Sequence, residues 1–305
     1  VIVSASYRTD IPAFYADWFR RRLAAGAARV KNPYGGPDTR VPLHPGRAGG
    51  PGCDGFVFWT RNLDPFWPAL EEVRALGLPF VVQFTLTAYP RALEPAVIPE
   101  DRALAQLERL AREYGPRAGV WRYDPVFATD LTPPDWHRTT FARLCERLAG
   151  TLDEVVLSFA QVYAKTKHNT DAAAARHGFA WTDPDEAEKR ALLGELAGLA
   201  RARGLTPSLC SQPELLSEGS LFGGPAEARC IDAGRLSDVA AAWGLPPVTA
   251  RTKGNRPGCL CAESRDIGAY DTCPHGCTYC YAVRRPEAAK AYRRRHDPAV
   301  ERLGD

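Results

Sequence analysis

The sequence predicts an α/β protein: an incomplete (β/α)6 TIM-type barrel with a C-terminal cysteine-rich metal-binding segment. Three observations lead there. Six short runs, at 1–4, 56–59, 80–86, 120–123, 154–159 and 206–209, are rich in β-branched or aromatic residues and near-continuous in hydrophobicity. Strands covered on both faces read this way. Helical patterns separate the runs, and such alternation favours a parallel sheet with right-handed crossovers. From Gly254 onward the periodicity fades and five cysteines follow within 27 residues. Six units also fit an open doubly wound sheet; the barrel is the preferred reading.

Each helix carries its own signals. Pro12, Phe14, Trp18, Phe19 and Leu23 open the first, and Gly26 fits its C-terminal stop. Further helical stretches are expected at 66–76, 101–114, 136–148 and 233–243. Asp183 and Pro184 read as N-cap and first helical residue of a helix that Gly204 closes. The chain thus divides into a barrel at 1–253 and a cysteine-rich segment with a basic C-terminal helix at 254–305. That last segment is too short to fold without a metal, so it is expected to pack against the barrel.

Composition narrows the function. Apolar residues at 45% and charged residues at 25% are those of a globular protein, and the net charge of +3 is too small to argue for nucleic acid. The basic run at 284–296 reads as a solvated helix face rather than a nucleic-acid contact. No apolar stretch is long enough to cross a membrane, and no secretory signal opens the sequence. The expected location is therefore cytoplasmic, where nine cysteines point to metal or catalysis rather than disulfides. No G-x-S-x-G elbow appears, and the six histidines form no H-x3-H or H-E-x2-H motif. The glycine turns at 49–52 and 222–225 lack the lysine and hydroxyl of a phosphate loop.

In barrels, chemistry gathers at the C-terminal ends of the strands. Polar residues collect there: Ser6, Arg8, Thr9 and Asp10; Thr60, Arg61 and Asn62; Gln83, Thr85 and Thr87; Arg122 and Asp124; Ser158, Gln161, Tyr163 and Lys165; Cys210 and Ser211. Arg8, Asp10, Arg122, Asp124 and Lys165 are expected to line a substrate cavity. The alternative reading of those charges is an ion-pair lattice that closes the barrel.

Cys273, Cys277 and Cys280 are spaced C-x3-C-x2-C. Three thiolates so spaced bind three irons of a [4Fe-4S] cubane and leave the fourth iron open. Structural zinc normally takes four protein ligands in C-x2-C pairs, so the alternative is a zinc knuckle using His275 as fourth ligand. Cys210, Cys230, Cys259 and Cys261 are expected to form a second metal site, an iron–sulfur cluster in preference to zinc. Cys145 falls on an apolar helix face and reads as packing, whereas Cys53, in a glycine-rich loop, reads as an incidental thiol.

The C-x3-C-x-aromatic-C pattern resembles the signature of the radical S-adenosylmethionine enzymes, and CPHGCTYCYA is similar to the spore-photoproduct-lyase-like branch. The resemblance implies a partial barrel and S-adenosylmethionine at the open iron. It also implies reduction by a donor such as flavodoxin or ferredoxin, and a 5′-deoxyadenosyl radical that abstracts hydrogen from an unknown substrate. Thr60, Asn62, Gln83, Ser158 and Tyr279 are then expected to contact the cofactor. End to end, SASYRTDIPAFY, GFVFWTRN, FTLTAYP, WRYDPV, SFAQVYAK and DIGAYDTCPHGCTYCYA resemble an uncharacterised bacterial family with this motif at its C-terminus. One departure is plain: in the radical enzymes the motif follows the first strand, and here it follows all six. Two other classes stay open. One is a non-radical protein in which iron–sulfur or zinc only staples the C-terminal segment; the other is a DNA-lesion-processing protein.

Overall fold

The apolar runs become the strands of one parallel sheet. The computed structural model describes residues 1–32, 35–46, 52–216, 224–254, 256 and 258–304. The six expected strands are β1 (Ile2–Ala5), β4 (Gly55–Thr60), β5 (Phe80–Thr85), β6 (Gly119–Val126), β7 (Glu154–Phe159) and β8 (Thr206–Leu209). Four others are β2 (Ala27–Val30) and β3 (Thr39–Pro42), an antiparallel hairpin, and the short strands β9 (Ala226–Glu227) and β10 (Ser264–Asp266). The sheet has eight strands in the order β10-β1-β4-β5-β6-β7-β8-β9, every pair parallel. The six-strand expectation is therefore corrected to eight. Strand β10 belongs to the cysteine-rich segment, so that segment is woven into the sheet beside β1 instead of only resting on it.

Helices flank the sheet: α1 (Ile11–Phe14), α2 (Ala16–Ala24), α3 (Trp67–Ala75), α4 (Glu100–Tyr114), α5 (Pro134–Leu148), α6 (Ala164–His177), α7 (Glu186–Arg201), α8 (Ala233–Ala242) and α9 (Pro286–Arg295). Burial on both faces explains the continuous hydrophobicity: every residue of β1 is buried, as are five of the six in β4 and in β5. Phe19, Phe56, Phe58 and Phe66 pack with ring centroids 4.9–5.6 Å apart. Each such ring contributes roughly 1.5–3 kcal/mol relative to exposure. Beneath the strands' N-terminal ends α8 inserts Arg235, which donates to Gly119 O at 2.6 Å and pairs with Asp153 and Glu154 at 2.6 and 2.9 Å.

Several element boundaries differ from expectation for physical reasons. The first helix is two pieces, because Tyr15 leaves helical geometry and sends its hydroxyl to Thr272 O at 2.6 Å. Gly26, at φ 74°, does end the second piece. The N-cap of α7 is Asp185, not Asp183: Asp185 and Glu188 form a capping box, which satisfies two otherwise orphaned amides. Asp183 instead pairs with Lys189 at 2.6 Å. Helix α6 was unanticipated because it has almost no apolar stripe; only Thr166 and Thr170 are buried. Cys53 is not loose but buried, its thiol pushed up to about 12 by desolvation. Cys145 packs in the core as expected. The glycine turns at 49–52 and 222–225 reach outside the described residues. Among the described residues no helix is long and apolar enough to cross a membrane.

One buried histidine gives the fold a pH dependence. His137 accepts from the Tyr123 hydroxyl at Nδ1 (2.9 Å) and donates from Nε2 to Phe127 O (3.2 Å), the pattern of a neutral imidazole. Burial lowers it from 6.5 to about 4, despite the opposing carbonyl contact. Between those values the unfolded chain binds the proton that the folded chain refuses, so stability is full above pH 6.5 and falls as pH drops toward 4. The expected loss is roughly 3 kcal/mol. Guanidinium titrations of wild type and His137→Gln across that window check it. Equal pH slopes for the two proteins would refute the assignment.

Candidate functional site: a thiol-lined mouth at the strand ends

The chain leaving β1 turns over a buried carboxylate. Asp266 of β10 accepts from the hydroxyls of Ser4 and Ser6, both at 2.8 Å, and from the amides of Tyr7 (3.1 Å) and Gly268 (3.0 Å). Burial raises its pKa, and Arg8, 3.8 Å away, together with the hydroxyls offsets only part of that rise. A Cβ at Gly268 would stand 2.0 Å from Ser6 Oγ, so the two loops meet only because residue 268 has no side chain.

The cysteine motif then crosses the same end of the sheet. The Ala282 amide donates to Cys280 Sγ at 3.3 Å, and the backbone of His275 and Asp10 acts on Cys273, and that of Val283 on Cys280, to favour the thiolate. Cys277 lies beside the Arg61 guanidinium, and Lys165 lies in the field of Cys280. Burial pushes all three thiols up, Cys277 to about 12, while these donors and cations pull the other way. The loop is strapped by Thr278 N to Leu93 O (3.1 Å), Thr170 Oγ1 to Thr278 O (3.2 Å) and Asn169 Nδ2 to Val283 O (3.0 Å).

Two polar networks support the motif. In the first, Asp10 accepts from Thr60 Oγ1 (2.7 Å), Ala13 N (2.9 Å) and Arg61 N (2.8 Å), and holds His275 Nε2 at 2.8 Å. The other ring nitrogen of His275 faces Ala96 O at 3.4 Å. In the second, Arg61 pairs with Glu94 at 2.7 Å and donates to the Tyr279 hydroxyl at 2.7 Å; Tyr279 and Thr87 both donate to Glu94. Tyr89 and Phe127, with centroids 5.8 and 5.6 Å from Tyr279, close that side to water.

At the same end of the sheet, Arg8 lies over the rings of Tyr7 and Tyr270 (5.4 and 5.2 Å), and Lys165 over Tyr270 (5.3 Å). Tyr163, Tyr270 and Tyr281 are exposed there, and the Tyr281 hydroxyl reaches Tyr7 O. Deeper, Arg122 pairs with Asp124, donates to Gln83 Oε1 (3.0 Å) and lies over Trp59 (4.7 Å). Burial by itself would raise Asp124, but Arg122 and the Ser158 hydroxyl hold it below the usual carboxylate range.

The expected site residues therefore divide. Arg8, Asp124 and Lys165 reach the mouth, and Tyr279 walls the motif. Asp10 and Thr60 turn to the motif and position His275. Ser158 serves Asp124, and Gln83 lies below, donating to Cys230 O at 2.9 Å. Asn62 points away, accepting from Asp64 N (3.1 Å) and Gln106 Nε2 (2.8 Å). Asp266, Glu94 and Arg256 were not foreseen. Asp266 and Glu94 stand in loop-like or weakly apolar sequence, where a buried acid leaves no periodic signal.

Four more cysteines meet nearby: Cys230 Sγ reaches Cys210 Sγ at 3.3 Å, and side-chain hydrogen bonds join Cys230 to Cys261 and Cys261 to Cys259. As placed, no group of three or more His, Cys, Asp or Glu among the described residues encloses a point where a metal ion would stand. The motif nonetheless suits a cluster chemically: Cys280 Sγ already receives the Ala282 amide, and the Thr278 hydroxyl within the motif is buried without a partner.

No curated protein matches the chain. One family model does, over residues 2–282, from β1 through the last cysteine of the motif. The mouth, its acid–base networks and both thiol groups all fall within that span, and the chain belongs to the family described as a domain of unknown function, DUF1848.

Proposed function

We propose that the protein is an iron–sulfur enzyme of radical S-adenosylmethionine type. Cys273, Cys277 and Cys280 hold a [4Fe-4S] cluster with one open iron, and the substrate enters at the mouth. In this reading the parallel sheet is an incomplete barrel. The observation that carries it is the position of the cysteine loop. The loop follows the long strands in sequence, yet its His275 meets Asp10 after β1 at 2.8 Å, its Tyr279 accepts from Arg61 after β4 at 2.7 Å, and its Thr278 amide reaches Leu93 O after β5 at 3.1 Å. The late motif is thus brought to the strand ends where barrel chemistry gathers.

When bound, S-adenosylmethionine would supply hydrogen abstraction from the substrate after one-electron reduction by a flavodoxin- or ferredoxin-type donor, leaving methionine and 5′-deoxyadenosine. The chain's own residues do the rest. The backbone beside Cys273 and Cys280 stabilises thiolate charge, and Tyr279 and Phe127 keep water from the sulfurs. Arg8 and Lys165 offer positive charge to an anionic group of the cofactor or substrate. A zinc knuckle on His275 is disfavoured, because both ring nitrogens already face acceptors.

The test is anaerobic reconstitution followed by electron paramagnetic resonance of the reduced protein. The motif should take up about four irons and four sulfides, with a spectrum that changes when S-adenosylmethionine is added. A spectrum that ignores the nucleotide, or zinc alone in the motif, overturns the proposal.

A further inference from the structure

The second thiol group is assembled from three separate parts of the chain. Cys210 follows β8, Cys230 precedes α8, and Cys259 and Cys261 lie on the segment leading to β10. Cys210 Sγ and Cys230 Sγ are 3.3 Å apart, Cys261 interacts with Cys230, and Cys259 interacts with Cys261. The surroundings are cationic or donating. Arg122 Nη1 is 3.1 Å from Cys230 Sγ, Arg256 Nη2 is 3.8 Å from Cys210 Sγ, and the Ile231 amide is 3.3 Å from Cys261 Sγ.

We infer that Cys210, Cys230, Cys259 and Cys261 form a mononuclear site for one thiophilic divalent ion, zinc, separate from the cluster motif. Two arguments carry this. The first is spacing. Zinc–sulfur bonds of ~2.3 Å place the corners of a tetrahedron ~3.8 Å apart. The Cys210 and Cys230 sulfurs, at 3.3 Å, need to spread only by about half an ångström, within the reach of small χ1 rotations. A cubane asks for more, because each cysteine then bonds a different iron at a different corner. Closing on an ion therefore asks less movement of Cys210 and Cys230 than closing on a cubane. The second is charge. Four thiolates around a divalent ion carry a double negative charge, which is costly to bury without compensation. Arg122 and Arg256 supply two positive charges at the sulfurs, and the Ile231 amide adds the kind of outer-shell donor that metal thiolates use.

The same ion would organise the mouth. Arg122 reaches from Cys230 to Asp124, and Arg256 from Cys210 to Gln161 Oε1 at 3.1 Å. Occupancy of the four-thiol site thus holds two mouth arginines in place and pins the chain before β10 to the far end of the sheet.

Metal analysis and zinc-edge X-ray absorption on the full chain test this. About one zinc per chain with four sulfur neighbours at ~2.3 Å is expected. That zinc should survive in the triple variant Cys273→Ala/Cys277→Ala/Cys280→Ala, so failure of the cluster reading leaves this result unaffected. Cys259→Ser should lose the zinc. Should that variant fail to fold, cobalt substitution of the wild type reads the same site through thiolate-to-cobalt charge-transfer absorption. Iron and sulfide persisting in the triple variant overturn the inference. So do four freely alkylated thiols in the native wild type, or a Cys210–Cys230 disulfide.

Discussion

Replacing Cys277 by alanine is expected to leave a folded protein that has lost the motif's iron and sulfide. Its 5′-deoxyadenosine formation should fall to background. Two thiolates cannot hold three irons, so the remaining Cys273 and Cys280 do not rescue the cluster. Folding should survive, because the straps around the motif run through Thr278, Thr170 and Asn169, none of which uses the Cys277 sulfur. Loss of one buried sulfur leaves a small void, costing about 1 kcal/mol. Iron and sulfide assays, product chromatography and a circular-dichroism melt read all three quantities. A collapsed melt in the variant, joined to a wild type that makes no 5′-deoxyadenosine, would mean that the metal only staples the segment. Wild-type product rates in the variant would remove Cys277 from the cluster altogether.

Glu94→Ala is expected to cost about 3–5 kcal/mol of stability, the penalty for orphaning a buried charge. Arg61 and Glu94 are 8% and 2% exposed, and their contact at 2.7 Å is supported by Tyr279 and Thr87. Without the carboxylate, the guanidinium keeps only neutral hydroxyl partners in a site too dry to solvate it. Arginine is too strong a base to escape by deprotonating, so the charge stays buried once its carboxylate is gone. The double variant Arg61→Met/Glu94→Leu should recover most of the loss, since both charges then leave together. Equilibrium unfolding in guanidinium measures each variant. A single-variant cost below ~1 kcal/mol would mean that the pair is solvated, as exposed pairs are.

Much of the architecture was legible in the sequence because it depends on local pattern. Continuous β-branched and aromatic runs are buried on both faces, so all six long strands announced themselves, and the C-x3-C-x2-C spacing of Cys273, Cys277 and Cys280 can be read without the fold. Strands β9 and β10 were not: runs of two or three residues have no periodicity, and pairing with β8 and β1 holds them. Helix α6 escaped for a similar reason, having little apolar face to betray it.

Polar function divided along the same line. The sequence by itself placed Arg8, Asp10, Thr60, Asn62, Arg122, Asp124 and Lys165 at strand ends. It could not say that Asn62 turns to Gln106 while Thr60 turns to Asp10, because orientation is set by pleat and partner. Nor could it say that Asp266 lies under Ser4 and Ser6, or that a motif placed after the long strands packs against the loop after the first. Only the tertiary structure decided those, and brought four thiols from three distant segments into one group. Strand hydrophobicity and cysteine spacing are properties of neighbours along the chain, whereas the direction of a side chain and the company of a sulfur are set by residues far away in sequence.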